Sequence, residues 1–225
     1  MSAEARQLKI MITGATGMVG EGVLLECLQH PAVGQVLLVN RKPFGSTDSK
    51  VKECIVPDFL ALEKFADQLA GYDACFYCAG VSSAGLSEAE YAHLTYDITI
   101  HFAETIARLN PGMTFIYVSG ALTDSSESGR VMWARVKGRT ENALTRMGFR
   151  NVYNFRPGFM RPTSGQRNIK WYYALMGWLY PIIRVSFPNH VSTLRDVGLA
   201  MINSVLKGYP KQVLEIEDIN ALAKL

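Results

Sequence analysis

The chain has 225 residues, 48% of them hydrophobic, with a formal net charge of +3 and four cysteines. That length allows one large domain or two small ones, either able to bury a sizeable core. Acidic and basic residues are interspersed, so there is neither a nucleic-acid footprint nor an acidic tail, and small molecules or protein surfaces are the expected partners.

The opening "MSAEARQLK" carries charges where a signal peptide needs an apolar core, so a cytoplasmic location is expected, and the cysteines suit a reducing compartment. "LKIMIT" (Leu8 to Thr13) then predicts a short buried strand running into the glycine loop "TGATGMVG". Val19, Val23, Leu24, Cys27 and Leu28 follow on one helical face. "QVLLVN" (Gln35 to Asn40) is a second strand, completing a βαβ unit of about 30 residues.

"VKECIV" reads as a third strand, "FLALEKFADQLA" as a helix and "DACFYCA" as a fourth strand. Cys75 and Cys78 form a C-x-x-C here, but without the second Cys/His pair of a zinc site. A long helix is expected from Ser87 to Leu109, with Tyr91, Leu94, Ile98, Phe102, Ile106 and Leu109 inward, stopped by Pro111 and Gly112. "MTFIYVS" (Met113 to Ser119) is the fifth strand, followed by a polar loop and a helix from about Arg130 to Met147. "NVYNFR" is the sixth, ending at Pro157-Gly158.

Strands alternating with helices predict an α/β doubly wound parallel sheet, the Rossmann arrangement, with a small C-terminal helical cap. Residues 1–225 are read as one nucleotide-binding domain in which 159–225 cover the cleft with a helix near Thr193 to Leu206 and a short strand "VLEI". The apolar stretch from Trp171 to Ile183 falls short of the ~20 residues that span a bilayer. It is open to core packing, a lid, a protein partner or a peripheral membrane contact. No oligomeric state follows from the sequence.

Gly14, Gly17 and Gly20, between a predicted strand and helix, point to dinucleotide binding. The first allows the tight turn, the second the close approach of a pyrophosphate, and the third close helix–strand packing. Ala15, Thr16, Met18 and Val19 complete the loop and first helical turn, whose N–H groups face the phosphates. At the end of the second strand, where an NAD site usually carries a carboxylate, stand Asn40, Arg41 and Lys42. Arg41 can grip a 2′-phosphate and Lys42 can add a point charge, so NADP(H) is favoured, with NAD(H) the alternative.

With "TGATGMVG", Asp58 after the third strand, "CAG" (Cys78 to Gly80) after the fourth, Ser119 after the fifth and "RPG" (Arg156 to Gly158) after the sixth, residues 8 to about 165 resemble the short-chain dehydrogenase/reductase superfamily. The likeness is to its extended and atypical members, among them epimerase-like NAD(P)-binding proteins. The resemblance implies that Asp58 bonds the adenine amino group, that Cys78, Ala79 and Gly80 line the adenine ribose, and that Pro157, Gly158 and Phe159 flank the nicotinamide. Asp58 is also open to a simple capping role.

Active members use a serine and a Tyr-x-x-x-Lys pair, and here Ser119 and Lys137 stand at the matching places. The tyrosine position is Trp133, whose indole donates a hydrogen bond but does not titrate as a phenol does. Tyr117, Tyr96, Tyr172 and Tyr173 are candidates for a displaced acid, while His93, His101 and His190 offer no recognisable relay. Two functions stay open: an NADP-dependent oxidoreductase or epimerase-like enzyme on an unnamed small carbonyl or hydroxyl substrate, or a non-catalytic NADP(H)-binding regulatory or redox-sensing module.

Overall fold

The computed structural model describes residues 6–169 and 191–225. In chain order the strands are β1 (Leu8–Thr13), β2 (Val33–Asn40), β3 (Val51–Ile55), β4 (Ala74–Tyr77), β5 (Thr114–Val118), β6 (Asn151–Phe155), β7 (Phe159–Arg161), β8 (Val191–Thr193) and β9 (Val213–Leu214). The helices are α1 (Met18–Gln29), α2 (Ala66–Leu69), α3 (Glu88–Ala92), α4 (Ile98–Leu109), α5 (Met132–Thr145), α6 (Leu194–Lys207) and α7 (Ile216–Leu222).

Seven strands form one sheet in the order β3-β2-β1-β4-β5-β6-β9, every neighbouring pair parallel, while β7 and β8 pair separately. This is the doubly wound Rossmann arrangement. Its apolar runs are continuous because both faces are covered. Alternate side chains of β1 enter opposite layers: Ile10 and Ile12 pack with Val23, Leu24, Val197 and Met201 of α1 and α6, whereas Met11 joins Phe102, Ile106 and Leu144 of α4 and α5. Strand order reverses between β1 and β4, opening a crevice at their C-terminal ends where ligands of such sheets bind.

The C-terminal elements flank the sheet as well as extending it. Helix α6 packs on α1 at two glycines: a Cβ on Gly22 would lie 2.8 Å from a Leu194 methyl carbon, and one on Gly198 2.8 Å from the Glu26 side chain. Strand β9 adds itself to β6, with Asn154 N–H donating to Gln212 O at 2.7 Å and Arg156 N–H to Leu214 O at 2.9 Å.

Two predicted helices differ from what the sequence spacing suggests. Between β3 and β4, the Asp58 carboxylate accepts from Leu60 N–H at 2.9 Å and its carbonyl from Ala61 N–H at 3.1 Å, a turn that uses up the start of the expected helix. Only a 3₁₀ turn over Leu62–Phe65 and the single turn of α2 follow, ended by Gly71 at φ +85°. The run after Ser87 is helical, but residues His93–Asp97 form a π turn between α3 and α4. That extra residue rotates the stripe, burying Thr95 and Thr99 between Tyr91 and Phe102 and leaving Leu94, expected inward, 37% exposed. The Trp171–Ile183 segment, Tyr172, Tyr173 and His190 lie outside the described residues.

Candidate functional site

The glycine loop lies at the reversal between β1 and β4. Gly14 takes φ +71°, and a Cβ there would stand 2.7 Å from Ala79 N. Gly17 N–H donates to Gly14 O at 2.9 Å, and Gly20 packs so closely that its Cβ would lie 2.3 Å from that same oxygen. Thr13 Oγ1 accepts from Ala79 N–H at 3.2 Å and ties the ends of β1 and β4 together. Gly17 is the N-cap of α1 and supplies no side-chain cap. Thr16 and Gly17 are exposed, and Met18 and Val19 half-buried.

Asn40 turns inward at the end of β2, only 3% exposed, and its Oδ1 accepts from Ala15 N–H at 3.2 Å. Its Nδ2 is buried without a hydrogen-bond partner among the described residues. A buried donor left unpaired costs about 1–3 kcal/mol, so this atom beside the glycine loop is open to an acceptor. Arg41 and Lys42 project at the surface just beyond it. Asp58 is exposed, Cys78 and Ala79 half-buried and Gly80 exposed. Burial pushes the Cys78 thiol up to about 12 and holds that of Cys75 well above the usual range, so both stay neutral.

At the other end of the crevice, the loop after β5 is fastened to the end of β6: Ser119 N–H donates to Phe155 O at 2.9 Å and Ala121 N–H to Pro157 O at 3.0 Å. The loop is also pressed on α5, where a Cβ on Gly138 would lie 1.8 Å from Asp124 O. Pro157 is buried, and Gly158 and Phe159 are half-buried beyond it.

Ser119 is 3% exposed and its hydroxyl donates to Glu141 Oε1 at 2.5 Å, with Phe155 O 3.1 Å away. Arg156 grips the same carboxylate with two nitrogens, Nε to Oε1 at 3.0 Å and Nη2 to Oε2 at 2.5 Å, and reaches Glu215 at 3.1 Å. Ser119 matches the serine of active members, and here its hydroxyl is engaged inside this network. Lys137 Nζ donates to the Ser119 carbonyl. Burial pulls its ammonium down to about 8, and the Glu141 carboxylate one turn on pulls the other way.

Trp133 lies one turn before Lys137 on α5, half-buried. Tyr117 is 2% exposed among Tyr77, Phe115 and Phe102, and burial holds its phenol well above the ordinary range, so it belongs to the core. Tyr96 stacks under the Arg139 guanidinium, 4.0 Å from ring centroid. His93 pairs with Asp97 at 3.1 Å, and His101 faces Glu63 at 3.9 Å. No cluster of metal-ligating side chains occurs among the described residues. None of their helices is long and apolar enough to cross a membrane.

Glu141 and Glu21 are the site residues that sequence reasoning passed over, and Asn40, named there at the end of the second strand, was given no role. Glu21 and Glu26 carried a signal: both are carboxylates within the apolar run of α1 and both are buried, at 2% and 5% exposure.

Residues 10–127 match the family described as NAD dependent epimerase/dehydratase. The chain belongs to that family, on the extended and atypical side of the short-chain dehydrogenase/reductase superfamily. Protein HTATIP2 of Rattus norvegicus is 26% identical over 154 residues, a match that spans 67% of this chain and 62% of that relative. Protein fmp52, mitochondrial, of Emericella nidulans is 26% identical over 219 residues, 91% of this chain and 90% of the relative. Among solved structures, the Bordetella bronchiseptica enzyme WbmG in complex with NAD shares the fold at TM-score 0.67 and 12% identity, over 100% of this chain and 80% of that one.

Proposed function

We propose that this chain binds NADP(H) along the C-terminal edge of the sheet and acts as an oxidoreductase or epimerase-like protein on a small carbonyl or hydroxyl substrate. One observation carries the reading: a left-handed Gly14 against Ala79, a helix start without a side-chain cap, and the orphaned Asn40 Nδ2 all belong to one crevice. The first-turn N–H groups of α1 suit a pyrophosphate, and Asn40 suits a ribose oxygen. Arg41 and Lys42 suit a 2′-phosphate. In the same reading Asp58 meets the adenine amino group, Cys78, Ala79 and Gly80 line its ribose, and Pro157, Gly158 and Phe159 flank the nicotinamide. The chain is one nucleotide-binding unit whose residues 159–225 complete the cleft.

When bound, the nicotinamide supplies or accepts a hydride at the substrate carbon. Lys137, held by the Ser119 carbonyl, is the residue for the neighbouring ribose hydroxyls. Trp133 can orient a carbonyl through its indole N–H but has no proton to release, so ordinary aldehyde or ketone reduction is slow. Calorimetric titration tests the cofactor reading. NADPH binds at least tenfold more tightly than NADH, about 1.4 kcal/mol, and equal affinities remove the argument. Trp133→Tyr tests the chemistry. It raises basal reduction toward the ~10²- to 10⁴-fold of general acid catalysis.

A second reading, a non-catalytic NADP(H)-binding regulatory or redox-sensing module, is favoured by the Ser119 hydroxyl being spent on Glu141. Intact cofactor binding with no reduction in either wild type or Trp133→Tyr selects it. The cytoplasmic placement stays part of the proposal, against the mitochondrial label on the fmp52 relative, and cell fractionation decides between the compartments.

A further inference from the structure

Beyond β7, residues 162–168 cross the first turns of α1 as a strap. Gln166 Nε2 donates to Met18 O at 2.7 Å, while the N–H groups of Arg167 and Asn168 donate to the two oxygens of buried Glu21 at 2.8 and 2.7 Å. The strap is closed on itself by Thr163 N–H donating to Gln166 Oε1 at 2.7 Å. Its Arg167 guanidinium carbon lies 4.8 Å from the centroid of the Phe44 ring. Phe44 is itself fixed, because the Glu53 carboxylate accepts N–H bonds from Phe44 and Gly45 at 2.8 Å each and from Ser46 at 3.2 Å.

Phe44 follows Arg41 by three residues, at most about 11 Å of extended chain, and an arginine side chain covers more than half of that. Arg167 is thus a cation from a different segment, held on the same short loop that begins with Arg41 and Lys42. Its attachment leaves it able to act there. Glu21 spends its oxygens on the strap's backbone, and its closest approach to the guanidinium is 3.7 Å at Nε, beyond hydrogen-bond distance. The side chain is 64% exposed, and its Nη groups have no hydrogen-bond partner among the described residues. Stacking on an aromatic face holds the fork in orientation without occupying its N–H donors.

We infer that Arg167 is a specificity-determining residue for the 2′-phosphate of the cofactor, presented by the Glu21-fastened strap and oriented by Phe44. The inference rests on the NADP(H) reading above and adds to it a determinant outside the loop after β2. Selectivity then has two parts distant in sequence, and the strap contributes to the adenosine end as well as to the face of α1.

The test is calorimetry on the full chain with NADPH, NADH, 2′,5′-ADP and 5′-AMP. Arg167→Met keeps an aliphatic stem over Phe44 and removes the charge. It weakens NADPH and 2′,5′-ADP about tenfold, as expected for one charge-assisted pair, and leaves NADH and 5′-AMP within about twofold. Phe44→Leu removes the platform, and a smaller loss confined to the same two ligands is expected. Equal weakening of all four ligands would make the residue a mere fastener of the strap and overturn the inference, as would unchanged NADPH affinity. Arg41→Ala separates the two ideas. If it abolishes the preference while Arg167→Met preserves it, only the Arg167 inference falls; a wild type that prefers neither cofactor sinks both.

Discussion

Ser119 and Glu141, 22 residues apart in sequence, share a hydrogen bond of 2.5 Å inside the protein, and the same carboxylate is forked by Arg156. The pair therefore joins the end of β5, the middle of α5 and the end of β6. Breaking a buried ion pair by removing one partner costs about 3–5 kcal/mol, because the other charge is stranded. Glu141→Ala should lower stability in urea melts toward the lower end of that range, since Arg156 keeps Glu215. Ser119→Ala leaves the ion pair and should cost only about 1 kcal/mol. Equal losses from the two substitutions would show that the ion pair is not what binds these elements.

The depressed Lys137 ammonium has a sign that can be measured. Its folded value of about 8 lies below the ordinary 10.5. Between those pH values the unfolded chain holds a proton the folded one has released, so this residue makes stability rise with pH. Buried thiols and phenols titrate nearby with the opposite sign, so the quantity to follow is the difference between wild type and Lys137→Met. That difference should shift in favour of the wild type from pH 8 to 10, and parallel curves would refute the assignment.

Gly17 and Gly20 should separate binding from folding. A Cβ on Gly17 would meet Gly14 O at 3.3 Å, a contact that a small adjustment relieves, whereas on Gly20 the same atom would be at 2.3 Å. Gly20→Ala should therefore lose about 1–3 kcal/mol of stability, toward the upper end because the obstacle is backbone. Gly17→Ala should melt within about 0.5 kcal/mol of wild type and still lose affinity for NADPH by tenfold or more, since its methyl would stand where a pyrophosphate approaches. Unchanged affinity would take the pyrophosphate away from this loop.

Leu122 holds a left-handed backbone, φ +67°, with its side chain 84% exposed. Such a conformation costs a non-glycine residue roughly 1–2 kcal/mol, and its side chain recovers little by burial. Leu122→Gly should raise the urea midpoint, the loss of strain outweighing glycine's larger unfolded-state entropy. A lowered midpoint would mean that the leucine makes contacts worth more than its strain.

The fold was largely legible because its signals are local: apolar runs of strand length, helical periodicity, and glycines at a strand–helix junction. The Gly14–Ala79 contact, between residues 65 apart, is not among those signals and appears only once β4 pairs with β1. The π turn was not legible, since one inserted residue rotates a helix without changing its composition, and regular helical spacing turns Leu94 inward for that reason. Glu141 stands one turn after Lys137 in "VKGRTE", yet its partners Ser119 and Arg156 are brought to it only by strand pairing. Arg167 reads as an ordinary loop cation until the strap is seen to fasten on Glu21.

The order in which the sheet is completed has a consequence for how the chain is made. Strand β6 receives its outer neighbour from Gln212 to Leu214, and Arg156 receives its second carboxylate from Glu215, 59 residues later. On the ribosome, six strands can assemble while one flank of β6 still shows unpaired N–H groups and an arginine lacking one of its anions. An open strand edge invites pairing with another chain, so the nascent protein has a sticky interval that ends only when residues 212–215 emerge. Slowing translation over that last stretch should increase aggregation during synthesis without altering the stability of the finished molecule.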